Sequence, residues 1–441
     1  MLAPPVEEAL PLLKRRPFRL LTYSRFTSRL AQNAANFALV LLVVEETGKA
    51  FTSSLLVLVL VLPATLGGIV AGAIADALPK RPVIFAGNLF RAAVCTQFAM
   101  SDPGVASYFV VGALLSLGTQ FATAPEGPLT LTVVERNEIT RANAINHAAG
   151  GAAQLLGFGV VTPIALRVFD QPSALFAVCA GLYILAAFQV GFVRPQKRLA
   201  AAAMSIREPR VGPWWKAGWS EMRRDPGVMR AAVELTLIST ALIVLAGLLP
   251  AFIKDELGLP VDIGAIVFVP AAVGVVLGLR IAGFLAHRVP HAAISTVGIA
   301  SFAILLGVLA LTNQVASFLV GYGAFGWLDT AGIGSLQRGG ILAAIIALPL
   351  GFSYAVVVVA AQTLIAERVP LQLQGRVLAT QGAIAAFAAS VPVMAAGVVA
   401  DLAGVSIVMF VLAAGIGLVG FSNLRGGGSG ETSVPAPVST D

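Results

Sequence analysis

Two carboxylates, Glu126 and Glu234, stand inside otherwise apolar stretches, as do four arginines, Arg25, Arg29, Arg91 and Arg280. A charge in apolar surroundings costs free energy unless it is paired or faces water. A carboxyl group held in a low-dielectric cavity is suited to taking up and releasing a proton. Glu126 is therefore a candidate proton carrier. Arg25, Arg29 and Arg91 lie at about the same depth, and any of them could instead hold it as a structural ion pair. Glu234 is a second proton-coupling candidate. It also lies within reach of the surface, where a long side chain can extend to water.

The remaining polar residues fall in rows. Arg25, Arg29, Gln32/Asn33 and Asn36 recur at i, i+4, i+7/8 and i+11, one face of a helix. Ser116, Thr119/Gln120, Thr123, Glu126 and Thr130 form a second row, and Asn143, His147, Gly150, Gln154 and Gly157 a third. Tyr354 and Gln362 mark a fourth segment. Small and hydroxyl residues also serve simply to pack helices together. A row with two arginines is better explained by water. Arg29, Gln32, Asn33, Asn36, Gln120, Asn143, His147 and Tyr354 are the expected lining of a solute cavity. His147 would be either a hydrogen-bonded cavity residue or a proton relay.

The elements that must position these rows follow from composition. The chain has 441 residues, 57% hydrophobic and 12% charged, with mean hydropathy +0.88. Soluble domains carry about 25% charge, so a cytosolic enzyme, a disordered chain and a nucleic-acid-binding module are all disfavoured. The net charge of +7 suits a membrane protein with basic loops. Two cysteines in apolar stretches and three histidines without ligand spacing argue against a disulfide scaffold, a metal site or any cofactor. No nucleophile–base pair suggests an enzyme, and no phosphate-binding loop suggests ATP as the energy source.

A membrane-crossing helix needs roughly 20 mostly apolar residues. Twelve such stretches are expected, near 22–44, 51–74, 82–101, 105–131, 143–166, 172–193, 229–253, 263–286, 292–312, 340–366, 377–400 and 404–421. With the N-terminus inside, 21 of the 29 Lys and Arg fall on the inner side, four outside and four within spans. That asymmetry predicts both termini in the cytoplasm. The expected fold is an all-α membrane protein of twelve transmembrane helices in two pseudo-symmetric six-helix bundles.

The halves echo each other. Glu46-Thr47-Gly48 ends the first stretch and Glu256-Leu257-Gly258 the seventh, while "AGAIADALPK" (71–80) corresponds to "AGFLAHRVPH" (282–291). Later matches widen the offset and place an insertion near 313–336. The expected organisation is a cytoplasmic segment 1–21, a bundle 22–193, a linker 194–228 with an interfacial helix carrying Trp215, Trp219 and Met222, a bundle 229–421, and a disordered tail 422–441.

"GAIADALPKRPVI" (72–84) resembles the loop 2–3 signature of the major facilitator superfamily, through Gly72, Asp76, Lys80 and Arg81. Ala77 and Pro79 stand where that pattern has a basic residue and a glycine. The resemblance implies two parallel six-helix halves, alternating access and a cytoplasmic gate built from the acid and the bases. Pro63, Arg91, "ATAP" (122–125), Ala142-Asn143 and "VPLQLQGRV" (369–377) look like the macrolide and siderophore efflux branch. Ala31-Gln32 and "GFG" (157–159) depart from that branch. What the resemblance implies is a secondary transporter of the inner membrane, exporting amphipathic small molecules against protons. Such a protein would work as a monomer, with the lipid bilayer, its solute and protons as its partners and no nucleic acid. Import or exchange of an organic anion, and a non-transporting scaffold that keeps the fold, are the competing expectations.

Overall fold

The computed structural model describes residues 12–101, 104–135, 138–157, 161–162, 171–194, 214–260, 265–285, 291–321 and 338–426. The expected segments 1–21, 194–228, 313–336 and 422–441 thus lie partly outside the described residues.

Among the described residues the chain is all helix. The first six passes are α1 (Arg16–Thr47), α2 (Ala50–Ala77), α3 (Lys80–Ala99), α4 with α5 (Val105–Thr123, Glu126–Thr130), α6 (Ile139–Leu156) and α7 (Pro172–Gly191). A short helix, α8 (Trp214–Arg224), precedes α9 (Pro226–Ala251), α10 (Val269–Leu285) and α11 (His291–Ala310). Then come α12 (Thr312–Gly321), α13 (Arg338–Arg368), α14 (Leu371–Ala403) and α15 (Val405–Gly426). Without α8 and α12 these make twelve passes in two six-helix bundles. Part of the 313–336 insertion is therefore helical. Six helices are long and apolar enough to cross a membrane by length and composition, and three shorter apolar segments join them. The polar rows are what keep α1 and α6 from that group.

Successive passes run antiparallel, so the start of α1 and the end of α15 lie at one end of the bundle, here termed proximal. The repeated Glu-x-Gly turns mark the distal end, where Gly48 and Gly258 both take left-handed backbone, with φ of 64° and 61°. Glycine adopts that conformation without a Cβ clash, which is how it stops a helix.

One apolar core draws on α1, α2, α3, α4 and α7, and another on α9, α11, α13, α14 and α15. Leu41 and Ala50 of the first half reach into the second core, and Ile243 of α9 packs against the first. At the distal end Ser53 donates to the Gly247 carbonyl across the seam at 2.6 Å. Gly397 of α14 lies so close to α2 that a Cβ there would sit 2.7 Å from the Phe51 Cα. Asp401, at the end of α14, accepts from the backbone N–H of Ala50 at 2.7 Å and of Phe51 at 3.1 Å. Those are unpaired donors of the first turn of α2, whose own N-cap residue, Lys49, supplies no side-chain acceptor. A carboxylate from one half thus caps a helix of the other, and among the described residues the two halves meet at the distal end. At the proximal end α8 packs on α14 and α9, with Met222 buried among Val228, Ala231 and Ile365.

Candidate functional site

A cleft of about 320 Å³ opens among Arg29, Gln32, Asn33 and Asn36 of α1 and Thr119 and Thr123 of α4. The 3.6-residue helical period puts the four α1 residues on one face, and the i, i+4 spacing does the same for the two threonines. Pro125 has no N–H to continue the helix, so the chain breaks between α4 and α5. That break turns Glu126 toward α1.

Glu126 is buried and its carboxylate lies 3.1 Å from Arg25 Nε and 4.0 Å from Arg29 Nη2. Arg25 Nη2 also donates to the Glu126 carbonyl and, at 2.7 Å, to the Thr130 hydroxyl. Arg25 therefore clasps the first turn of α5 as well as its carboxylate. The two arginines differ in exposure: the Arg25 side chain is 10% exposed and that of Arg29 is 49% exposed. Arg25 closes the pair on the inside, and Arg29 carries it to the cleft.

Arg91 does not pair with Glu126, although its depth suggested it. It is fully buried and donates to Asn88 Oδ1 at 2.6 Å, Ser28 Oγ at 2.8 Å and Thr119 Oγ1 at 3.4 Å. Its guanidinium lies 4.4 Å from the centre of the Tyr183 ring, a cation–π contact. Depth along the bundle was right; rotation about the α3 axis points the fork at neutral acceptors.

Other expected lining residues lie elsewhere. Gln120 is one residue past Thr119, a rotation of about 100°, and faces Gly67 and Gly68 of α2. Asn143 is exposed in the first turns of α6, too near the proximal end to meet the cleft. Tyr354 packs against the core of the second half. Glu234 is buried between α9 and α11, 2.9 Å from Arg230 Nε, and accepts from Ser295 Oγ at 2.6 Å. It neither extends to the surface nor reaches the cleft, because the i, i+4 arginine holds it inside the second half. Gly72 and Asp76 fall in the last turns of α2, and His147 falls within α6; their side chains lie outside the described residues. Lys80 donates to the Leu78 carbonyl and Arg81 to that of Val193, so both bases tie the start of α3 to its own half.

Thr130 belongs to the row read from the sequence, whereas Asp401, Ser28 and Tyr183 were not singled out. One signal does point to Asp401: "AGVVAD" (396–401) repeats "AGAIAD" (71–76) at the opposite end of the fold.

A profile of the Major Facilitator Superfamily matches residues 21–338. No curated protein sequence matches. Among solved structures, the nucleoside transporter NupG superposes with a TM-score of 0.70 at 12% identity, covering 93% of this chain and 98% of that one. A mutant of it gives 0.73 at 10% identity, covering 93% and 99%. An auto-inhibited POT family peptide transporter gives 0.66 at 13% identity, covering 93% and 96%. At such identities the likeness is one of fold.

Proposed function

Since the chain belongs to the Major Facilitator Superfamily, we propose that it is a proton-coupled secondary transporter that exports compact amphipathic solutes by alternating access. The observation that carries this reading is a polar cleft in the first bundle, set beside a distal end sealed across the halves. A path open at one end and closed at the other is what one state of such a cycle requires. The 21-to-4 distribution of basic residues supports cytoplasmic termini in the cell membrane, which makes the closed end the outer one. The protein acts as a monomer, since both bundles and the cleft between α1 and α4 belong to a single chain.

The size of the cleft favours small cargo. Small-molecule sites span about 300–1,000 Å³, and this one stands at the lower bound. A cleft of that size takes a compact solute, or one group of a larger one. Glu126 is the proton-coupling residue in this reading: Arg29 connects it to the cleft, so a solute that draws Arg29 away changes what neutralises the carboxylate. The junction of α2 and α3, with Gly72 and Asp76 in the last turns of α2 and Lys80 and Arg81 opening α3, is the proximal gate in this reading.

The test is solute-triggered proton movement in everted vesicles, using a panel of small aromatic acids, lipophilic cations, macrolides and siderophores. The small solutes should move protons and Glu126→Gln should abolish the coupling. Coupling intact in that variant would remove Glu126 from the mechanism.

A further inference from the structure

The cleft has a sign. Among the described residues two guanidiniums, Arg25 and Arg29, lie against one buried carboxylate, Glu126, and a third, Arg91, is buried on neutral partners in the same bundle. Arg25 takes the near contact with that carboxylate and is itself buried. Arg91 spends its fork on Asn88, Ser28 and Thr119 and its face on Tyr183. Arg29 is left at 4.0 Å from Glu126, beyond hydrogen-bond range, with half of its side chain in the cleft. An arginine fork facing a water-filled cavity with net positive surroundings matches a carboxylate or phosphate, which it can hold by two parallel bonds.

The rest of the lining divides by chemistry. Gln32, Asn33 and Asn36 bring amide donors to the α1 side. One Asn33 Nδ2 proton is committed to the Arg29 carbonyl, which leaves its second proton for a ligand. On the α4 side both hydroxyl protons are spent: Thr119 donates to the Leu115 carbonyl at 2.8 Å and Thr123 to the Thr119 carbonyl at 2.9 Å. Each threonine therefore offers lone pairs only, and that of Thr119 already meets Arg91. The α1 wall offers the Arg29 fork and amides that both donate and accept, and the α4 wall offers only an acceptor, Thr123.

We propose that the cleft binds a small organic anion that also carries a hydroxyl or amine. Its carboxylate or phosphate lies on Arg29 and the α1 amides, and its own donor faces Thr123. The assignment rests on the cleft being the solute path. It makes Arg29 the residue that sets solute charge, and it places the anion where Arg29 must choose between Glu126 and the cargo.

The experiment uses the full chain in nanodiscs at neutral pH and three probes of one shape: 4-hydroxybenzoate, 4-hydroxyphenyl phosphate and 4-hydroxybenzamide. A charge-assisted pair is worth about 1.5–3 kcal/mol, so at least one of the two anions should bind about tenfold or more tighter than the amide. The arm that wins identifies carboxylate or phosphate. Arg29→Gln should erase that preference, weakening the anions about tenfold more than it weakens the amide. Arg29→Lys, which keeps the charge but loses the fork, should retain part of it, and this arm stands even where the glutamine variant fails to accumulate. Glu126→Gln, which removes the competing carboxylate, should tighten the anions more than the amide. The amide binding as tightly as both anions, an anion preference untouched by Arg29→Gln, or no binding of any probe would each overturn the assignment. An Asn36→Cys variant whose thiol the amide protects and the anions do not would overturn the anion assignment alone. An Asn36→Cys variant that reacts with no thiol reagent would overturn the solute path with it.

Discussion

Asp401→Ala removes the carboxylate that caps α2 from the other half of the molecule. Both of its bonds, to the N–H groups of Ala50 and Phe51, exist only while the distal ends are together. Whatever they contribute therefore counts entirely toward the distal-closed state, with no share in the folding of either bundle. A helix N-cap is worth about 1 kcal/mol, within a range of about 0.5–2. Asp401 is exposed, so the middle of that range applies. A loss of about 1 kcal/mol shifts a two-state equilibrium roughly fivefold. Asp401→Asn keeps one of the two acceptor oxygens and loses the other together with the charge at the helix terminus, so its shift should lie between those of the wild type and the alanine variant. The assay is pulsed electron resonance between spin labels at Glu46→Cys and Leu311→Cys, one on each half at the distal end, with Cys95 and Cys179 replaced. The long-distance population should grow about fivefold in Asp401→Ala and less in Asp401→Asn. An unchanged distance distribution in the alanine variant would refute the reasoning.

Two further outcomes follow from packing and pairing. Gly274 and Gly351 bring α10 and α13 into backbone contact: a Cβ at Gly274 would lie 1.9 Å from the Leu348 oxygen, and one at Gly351 would lie 1.8 Å from the Ala271 oxygen. Alanine at either should cost about 1–3 kcal/mol or more, seen as a lowered unfolding temperature in detergent. Gly307→Ala, where the nearest atom would be 3.8 Å away, should change little. Glu234→Gln leaves Arg230 without its ionic partner and weakens the bond to Ser295, so stability should fall by about 1–3 kcal/mol while solute-driven proton movement persists. Loss of that movement in a well-folded protein would return Glu234 to the transport pathway.

The twelve passes were legible because a bilayer demands long apolar helices, and that demand writes itself into residue type. Observed and expected boundaries mostly agree to within a few residues, as for α4 with α5 and for α11. The row on α1 was legible for the same reason: four polar side chains at helical spacing can only share a face. Rotation about the other helices was harder to read. Gln120 and Thr119 are adjacent in sequence and point to different neighbours, and the apolar background of α4 gives no cue to which one meets the cleft. Partner choice was also beyond the pattern. Arg91 lies at the depth of Glu126, yet its contacts depend on where Asn88, Ser28 and Tyr183 converge from three helices. Asp401 was overlooked because its partners are backbone N–H groups, which leave no trace in residue type. Only its repeat of the 71–76 segment marks it.

The central claim is that the α1–α4 cleft is reached from the proximal side while the distal side is sealed. The direct measurement is thiol labelling of Asn36→Cys, in a protein whose two native, buried cysteines are replaced by alanine, with a membrane-impermeant maleimide applied to right-side-out and to everted vesicles. Reaction is predicted in everted vesicles and little or none in right-side-out ones, with the right-side-out rate rising once Asp401→Ala is added. Equal labelling from both faces, or none from either, would contradict the account.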